Sequence, residues 1–411
     1  MEKDVLLPKV QNPKRKSKRR KFVKISGIGI LIVLGISLVI SCTVGTRRSY
    51  FTLNKNNAHW VTDNGEKYLY IEAENEYELG RLEGKYLSAK IANLKRIIQL
   101  FGMLNSKHGF GYSNLIKLAQ QYETSIPNEY KEEMRGIDRA IVGVSYNDIL
   151  LQNCFVDILY GHYFPQGNFQ PNDSSLQMGC TVVGFLNNDS ITIGQNFDFN
   201  NVFKHTLAFV YHKVQGKYAQ FGLKVGGILS IPCGTNSKNV SIFVNVVKTN
   251  IQALFTTPIA FRTRLAFDSA TDPEEFRNII TSEDSSLSMN LLIANNTKMI
   301  SIQCVPGNYS ISRPDQCVNT NTYTDAFFQE YLQDKTYSKN RQNITESLLS
   351  DFSADLQLSD SEFISIMSDS RIYQSNSGIM GISTLTCSST KFFCKGIPSP
   401  LNDYPSIPFF F

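Results

Sequence analysis

Gly179-Cys180-Thr181-Val182-Val183-Gly184-Phe185, closed by Gly194-Gln195-Asn196-Phe197-Asp198-Phe199, is the stretch on which the fold turns. Before it the apolar residues recur at helical steps. From Glu76 to Leu104, Leu79, Leu82, Tyr86, Leu87, Ile91, Leu94, Ile97, Ile98 and Phe101 recur at three- and four-residue steps, which predicts a long helix. Gly80 and Gly84 lie one turn apart on it and allow close packing. Further helices are predicted at 114–122, 128–140 and 146–159. After Cys180 the texture changes to short β-branched and apolar runs separated by Asn, Asp and Gly. These predict strands at 181–186, 191–195, 206–214, 218–223, 227–231 and 240–247, and later at 289–294 and 299–304. Thr271-Asp272-Pro273-Glu274-Glu275 reads as a helix start. Two more helices are predicted at 324–332 and 340–352. Helices, sheet, helices and sheet in that order argue for a layered α+β body with no internal domain boundary.

The composition is that of a globular protein: 411 residues, 42% hydrophobic and 19% charged. Disordered, collagen-like and coiled-coil chains are excluded. The net charge of +5 is an average of two unlike parts. Residues 1–48 hold 12 Lys/Arg against 2 Asp/Glu, a net +10 that leaves the remainder at −5. A basic nucleic-acid-binding body is therefore excluded.

Residues 1–24 form a basic tail, and the 22 residues from Ile25 to Thr46 carry no charge. A helix of that length reaches about 33 Å, enough to cross a hydrocarbon core of about 30 Å. The positive-inside rule keeps the tail in the cytosol and puts the body outside the cell or in a secretory or lysosomal lumen. A signal anchor is the preferred reading, with a cleaved signal peptide and a lipoprotein signal at Cys42 as alternatives. Residues 47–75 read as a linker and a first strand, Tyr68–Ile71. Sequons at Asn172, Asn188, Asn239, Asn295, Asn308 and Asn343 agree with a glycosylated, non-cytosolic body. Setting aside Cys42 and Cys180, six cysteines remain. They permit three disulfides, with Cys304–Cys317 and Cys387–Cys394 the first local pairs to test, or else stand as buried thiols.

Common catalytic motifs are absent. There is no G-x-S-x-G, P-loop or H-E-x-x-H, and the five histidines (59, 108, 162, 205 and 212) are scattered, each a surface or packing residue by its spacing. No metal or cofactor is implied. Read alone, Cys180 is a cysteine that starts a strand.

Four blocks in order resemble the acyl-coenzyme A:6-aminopenicillanic acid acyltransferase family of N-terminal-nucleophile hydrolases. They are Tyr77–Gly84, Glu132–Asn153, Gly179-Cys180-Thr181 with Gly194–Asp198, and Val318–Tyr323. The resemblance implies a four-layer αββα fold behind the transmembrane helix, and self-cleavage between Gly179 and Cys180. Residues 76–179 would then belong to an alpha fragment and residues 180–411 would form a beta fragment. It implies Cys180 as nucleophile, with its new α-amine as the base. Asp198 would orient that amine, and Asn321 and Asn245 would stand at the oxyanion. It implies a small-molecule or lipid amide as substrate, hydrolysed or transferred through a thioester. A phospholipase B-like lipid hydrolase and an inactive surface binding protein of the same fold are the rival readings. The chain departs from the family at Asn319 and Thr322, where histidines are usual, at Phe197 for Trp, and at Asn196 where relatives carry Arg. Arg371 is the one residue offered as a later substrate-contacting Arg.

Overall fold

Two β-sheets stacked face to face carry the fold, and helices cover both outer faces. The computed structural model describes residues 58–63, 66–167, 179–187, 190–334, 336–352, 357–372, 379–387, 391–395 and 406–408. The predicted anchor at 25–46 and the basic tail lie outside the described residues. Among those described, no helix is long and apolar enough to cross a membrane.

The first sheet has nine strands in the order β1 (Ala58–Asp63), β2 (Glu66–Ala73), β5 (Leu207–Val214), β6 (Gln220–Val225), β7 (Cys233–Asn236), β8 (Ser241–Val246), β9 (Met289–Ala294), β10 (Met299–Val305) and β11 (Asn308–Ser312). Only β2 and β5 run parallel within it. The second has six: β12 (Gln316–Asn319), β3 (Gly179–Asn187), β4 (Ser190–Asn200), β13 (Ile379–Cys387), β14 (Lys391–Lys395) and β15 (Ser406–Pro408).

Strand β3 shows why the sheets stack. From Gly179 to Phe185 it is buried on both faces, so apart from Thr181 its sequence there is apolar rather than alternating. Cys180 and Val182 join the main core. Gly184 approaches Leu292 of β9 and Met299 of β10 so closely that a Cβ would lie 2.6 Å from the Met299 sulfur. Val183 and Phe185 point the other way. They pack with Leu349 of α8 (Tyr337–Phe352) and with Phe363, Ile366 and Met367 of α9 (Asp360–Ser368). Polar side chains also stitch the sheets. Gln195 Nε2 donates to Val244 O at 2.8 Å, and Asn290 Nδ2 to Thr320 O at 2.9 Å.

The outer face of the nine-stranded sheet is covered by α1 (Glu76–Leu104), α5 (Ile259–Ser269) and α6 (Pro273–Ile280). Helices α2 (Tyr112–Tyr122), α3 (Asn128–Ala140) and α4 (Tyr146–Ile158) pack with α1, and a single turn, α7 (Ala326–Gln329), follows β12. The expected glycine contact is real. A Cβ on Gly80 would collide with the Glu133 carbonyl, and one on Gly136 with that of Tyr77. Asn75 caps α1 and Asp272 caps α6 through backbone N–H groups.

Beneath α1 and α3 lies a buried ion cluster. Glu83 pairs with Lys224, and His212 Nδ1 stands 3.6 Å from the same carboxylate. Arg264 binds Glu133 at 2.8 and 3.1 Å and Asp268 at 3.0 Å, and Tyr130 donates to Asp268 at 2.9 Å. All of these are less than a tenth exposed. Burial works to raise the Glu83 carboxyl, but Lys224 and His212 outweigh it and hold it down, at about 2.

Two expectations fail. Cys304 and Cys317 are free buried thiols, on strands of different sheets. The Cys304 sulfur instead lies 3.5 Å from Ser285 Oγ. On β13 and β14 the register pairs Thr384 with Cys394 and Cys387 with Lys391, so those two cysteines are not opposed, and their side chains lie outside the described residues. Residues 227–231 form a turn, not a strand. Gln152 Oε1 accepts from Gly227 N–H and Asn153 Oδ1 from Leu229 N–H, both at 2.8 Å, so α4 satisfies this backbone in place of a sheet.

Two stability predictions follow from this packing. Gly136→Ala should lower the midpoint of urea denaturation by the equivalent of about 1–3 kcal/mol, the usual cost of overpacking. Lys224→Met should cost about 3–5 kcal/mol, because Glu83 is then left buried without its cation. Because the Glu83 carboxyl is held low, its stabilisation is complete above its ordinary pKa and lost as pH falls from about 4.5 toward 2. Glu83→Gln should flatten that part of an acid-denaturation curve.

Candidate active site

The antiparallel register of β3 on β4 sets Gly179 opposite Asp198 and Cys180 opposite Phe197. Cys180 therefore enters the space between the sheets at the first inward position of β3. The backbone N–H of Cys180 donates to Asn321 Oδ1 at 2.8 Å. Asn321 follows β12, which pairs with β3 on its other side. Its Nδ2 donates to Val246 O at 2.7 Å, so both ends of the carboxamide are fixed by their partners.

Arg341 of α8 completes the cluster. One nitrogen, Nη2, donates to Asn321 Oδ1 at 2.7 Å and to the Cys180 carbonyl at 3.2 Å. Its guanidinium carbon lies 5.4 Å from the Tyr337 ring centroid. The sequence reading missed Arg341. Only the folded chain shows its setting: the buried positions of α8 include Ser338, Arg341, Gln342 and Thr345, a polar stripe on a buried face. Such a stripe requires partners. Arg371, the residue offered earlier, is exposed and forms an ion pair with Asp369 at 2.7 Å, so it is not part of this cluster.

Asp198 is fully buried. Burial is the largest influence on the Cys180 thiol and pushes it well above its ordinary range. The Asp198 charge adds to the rise, while Arg341 and the Asp198 backbone N–H oppose it. The thiol is thus protonated in this uncut chain, where its nitrogen is a peptide amide and no base. Asn245 lies on β8, in the sheet that faces β3. Its Nδ2 donates to Asn319 O at 3.3 Å, so it supports the strand end that carries Asn321. Asn319 donates to Ser301 Oγ at 3.3 Å. Among the buried histidines, His162 shares a 2.8 Å hydrogen bond with Tyr122 OH.

Cys180 also lines a cavity of about 610 Å³. Its wall is mostly apolar and includes Leu94, Ile97, Phe101, Phe155, Phe197 and Val244. The helical part before Cys180 supplies one side of it and the sheets the other.

Residues 186–389 match the model of the acyl-coenzyme A:6-aminopenicillanic acid acyl-transferase family. Those residues, just under half of the chain, are similar to that family. The match begins just past Cys180 and includes Asp198, Asn245, Asn321 and Arg341. This is the family that the sequence resembles. An uncharacterised protein from Archaeoglobus fulgidus is 23% identical over 240 residues, which are 52% of this chain and 39% of that protein. The chain thus spans about two-fifths of the length of that curated relative. Two solved structures are similar at low identity. An N-acylethanolamine-hydrolysing acid amidase orthologue from Caenorhabditis elegans gives a TM-score of 0.40 at 15% identity, over 50% of this chain and 92% of that one. A conjugated bile acid hydrolase variant from Clostridium perfringens gives 0.45 at 9%, over 56% and 92%.

Arg341→Met should leave the Asn321 carboxamide and the Cys180 carbonyl short of a donor inside the protein. Loss of turnover by a factor of about 10²–10³ is expected, the usual effect of removing one fixed donor from a reacting centre. Because a single nitrogen makes both contacts, Arg341→Lys, whose ammonium can donate to both acceptors, should recover part of the loss. Turnover within a few-fold of wild type in Arg341→Met would remove this residue from the site.

Proposed function

We propose that the chain is a self-processing cysteine amidohydrolase of the N-terminal-nucleophile class, acting on N-acylated amines through a thioester. The observation that carries this reading is the position of Cys180. Its thiol stands at an apolar cavity, and its own nitrogen is held by Asn321 within the same cluster. A nucleophile whose backbone nitrogen is fixed in the site can use that nitrogen as its base once the preceding bond is cut.

Activation would run through the chain's own atoms. The Cys180 thiol adds to the Gly179 carbonyl, the C–N bond breaks, and the acyl group passes to sulfur. Water then opens this thioester, leaving a Gly179 carboxylate and a free α-amine on Cys180. Such an amine titrates at about 7.7–8.0 when unperturbed. It takes the thiol proton as sulfur attacks a substrate amide and returns it to the leaving amine. A second thioester follows, and water releases the acid. An amine or thiol acceptor in place of water would give acyl transfer.

In this scheme Asn321 orients the Cys180 amine through its oxygen. Its Nδ2, expected at the oxyanion, is already donated to Val246 O. Asp198 keeps the amine and thiol aligned, and Arg341 fixes the strand start and balances the buried charge. Asn245 holds the Asn319 end of β12 in place. The apolar wall favours an acyl chain over a peptide. It would take an ester lipid equally well, so a phospholipase B-like reaction is the second reading.

The anchor at 25–46 would hold this body on the non-cytosolic face of a membrane. The sequons at Asn308 and Asn343 are on exposed residues, as a glycosylated body requires.

On a reducing gel the mature wild type should give bands of about 20 and 26 kDa plus glycans, from fragments of 179 and 232 residues. Cys180→Ala should remain one chain and lose hydrolysis of N-acyl amines. An unchanged two-band pattern in Cys180→Ala would refute the activation scheme. Faster turnover of the matching ester lipid than of the amide would select the second reading.

A further inference from the structure

Leu100, Met103 and Leu104 at the C-terminal end of α1, and Val202 in the turn Asn201–Thr206 packed against α1, are 46%, 65%, 64% and 52% exposed. Large apolar side chains that stand in water need an explanation when they cluster. Leu100, Leu104 and Val202 also line the cavity that holds Cys180, so this patch is the mouth of the cavity.

The two segments that form the mouth carry basic side chains and no acidic ones, although Asp157 lines the cavity deeper in. Lys107 and His108 follow α1, are exposed and line the same cavity. Lys204 and His205 follow Val202. The chain contains no Asp or Glu between Glu83 and Glu123, and none between Asp198 and Asp268. Both segments that form the mouth fall inside these acid-free stretches. This occurs in a body whose net charge beyond residue 48 is −5, so the local excess of cations is against the average.

We propose that the mouth of the cavity docks on an anionic lipid surface. Apolar side chains flanked by lysine are the pattern that binds at the boundary between headgroups and acyl chains. The side chains that would enter lipid are those that open onto the cavity. An amphiphile therefore passes from the bilayer to Cys180 without crossing water. This last step rests on the acyl-amide reading above; the docking itself does not.

The test uses the full chain, with a probe that reports only its own surroundings. Met103 is exposed and does not line the cavity. Met103→Trp in a Trp60→Phe background places the only tryptophan at the mouth. Vesicles of phosphatidylcholine with one-third phosphatidylserine, brominated on the acyl chains, should blue-shift and strongly quench it. Adding salt or Lys107→Glu should reduce the quenching several-fold, as expected for attraction to an anionic surface. Anchoring through residues 25–46 cannot mimic this result, because it does not bring position 103 into contact with bromine. Emission unchanged by any vesicle would overturn the proposal. Equal quenching in phosphatidylcholine alone would overturn the anionic surface as the occupant. Quenching retained in Cys180→Ala, where hydrolysis is lost, would separate docking from the catalytic reading.

Discussion

The register between β3 and β4 is the constraint on which the site depends. With Gly179 opposite Asp198, the inward positions of β3 are Cys180, Val182 and Gly184, and the outward ones are Thr181, Val183 and Phe185. A slip of one residue would turn Cys180 toward α8 and α9 and drive Phe185 into the space that Gly184 leaves for Met299. The two cores are thus complementary halves of one decision. Packing of Phe185 against the helices and the close approach at Gly184 fix the strand, and the fixed strand fixes the thiol. Asn321 and Arg341 then bind the Cys180 backbone on both sides of its Cα, at N–H and at C=O. They hold the residue by its main chain and leave its side chain to the cavity.

A second set of interactions joins the part of the chain before Cys180 to the part after it. Strand β2 pairs with β5, so the first two strands are built into a sheet whose other strands all follow Cys180. Glu83, Glu133 and Tyr130 come from the helices before Cys180, whereas Lys224, His212, Arg264 and Asp268 come from after it. Buried ion pairs of this kind contribute little net stability against an apolar core, but they are costly to separate. A chain cut at Gly179–Cys180 would keep these contacts, and one half could leave the other only by exposing a buried cluster of opposite charges.

Much of this was legible in the sequence, for identifiable reasons. Helix α1 carries its core residues at helical steps over 29 residues, and its predicted bounds match the observed ones. Strands β9 and β10 are short apolar runs between turns, and they too fell where expected. Helix α5 did not, because its first six residues are all buried, Arg262 and Arg264 included, so it shows no amphipathic period. The turn at 227–231 read as a strand because its apolar residues are buried. Its backbone, however, is satisfied by two side chains of α4 that no local pattern reveals. At the site, the grouping of Cys180, Asp198 and Asn321 was accessible from motif order. The role of Arg341 was not, since it lies 20 residues past Asn321 on a helix whose relation to β3 exists only in the folded chain. The Cys304–Cys317 expectation rested on a separation of 13 residues, which does not show where folding sends each thiol: Cys304 lies beside Ser285, on a different sheet from Cys317.

The most direct test of the account is intact-mass spectrometry of the purified protein, quenched in acid during turnover of a slowly hydrolysed N-acyl amine. The account predicts two polypeptides, with an acyl increment confined to the one that begins at Cys180. It also predicts that the increment disappears on treatment with hydroxylamine, as a thioester does. An uncut chain that turns over substrate, or an acyl group on any other residue, would contradict it.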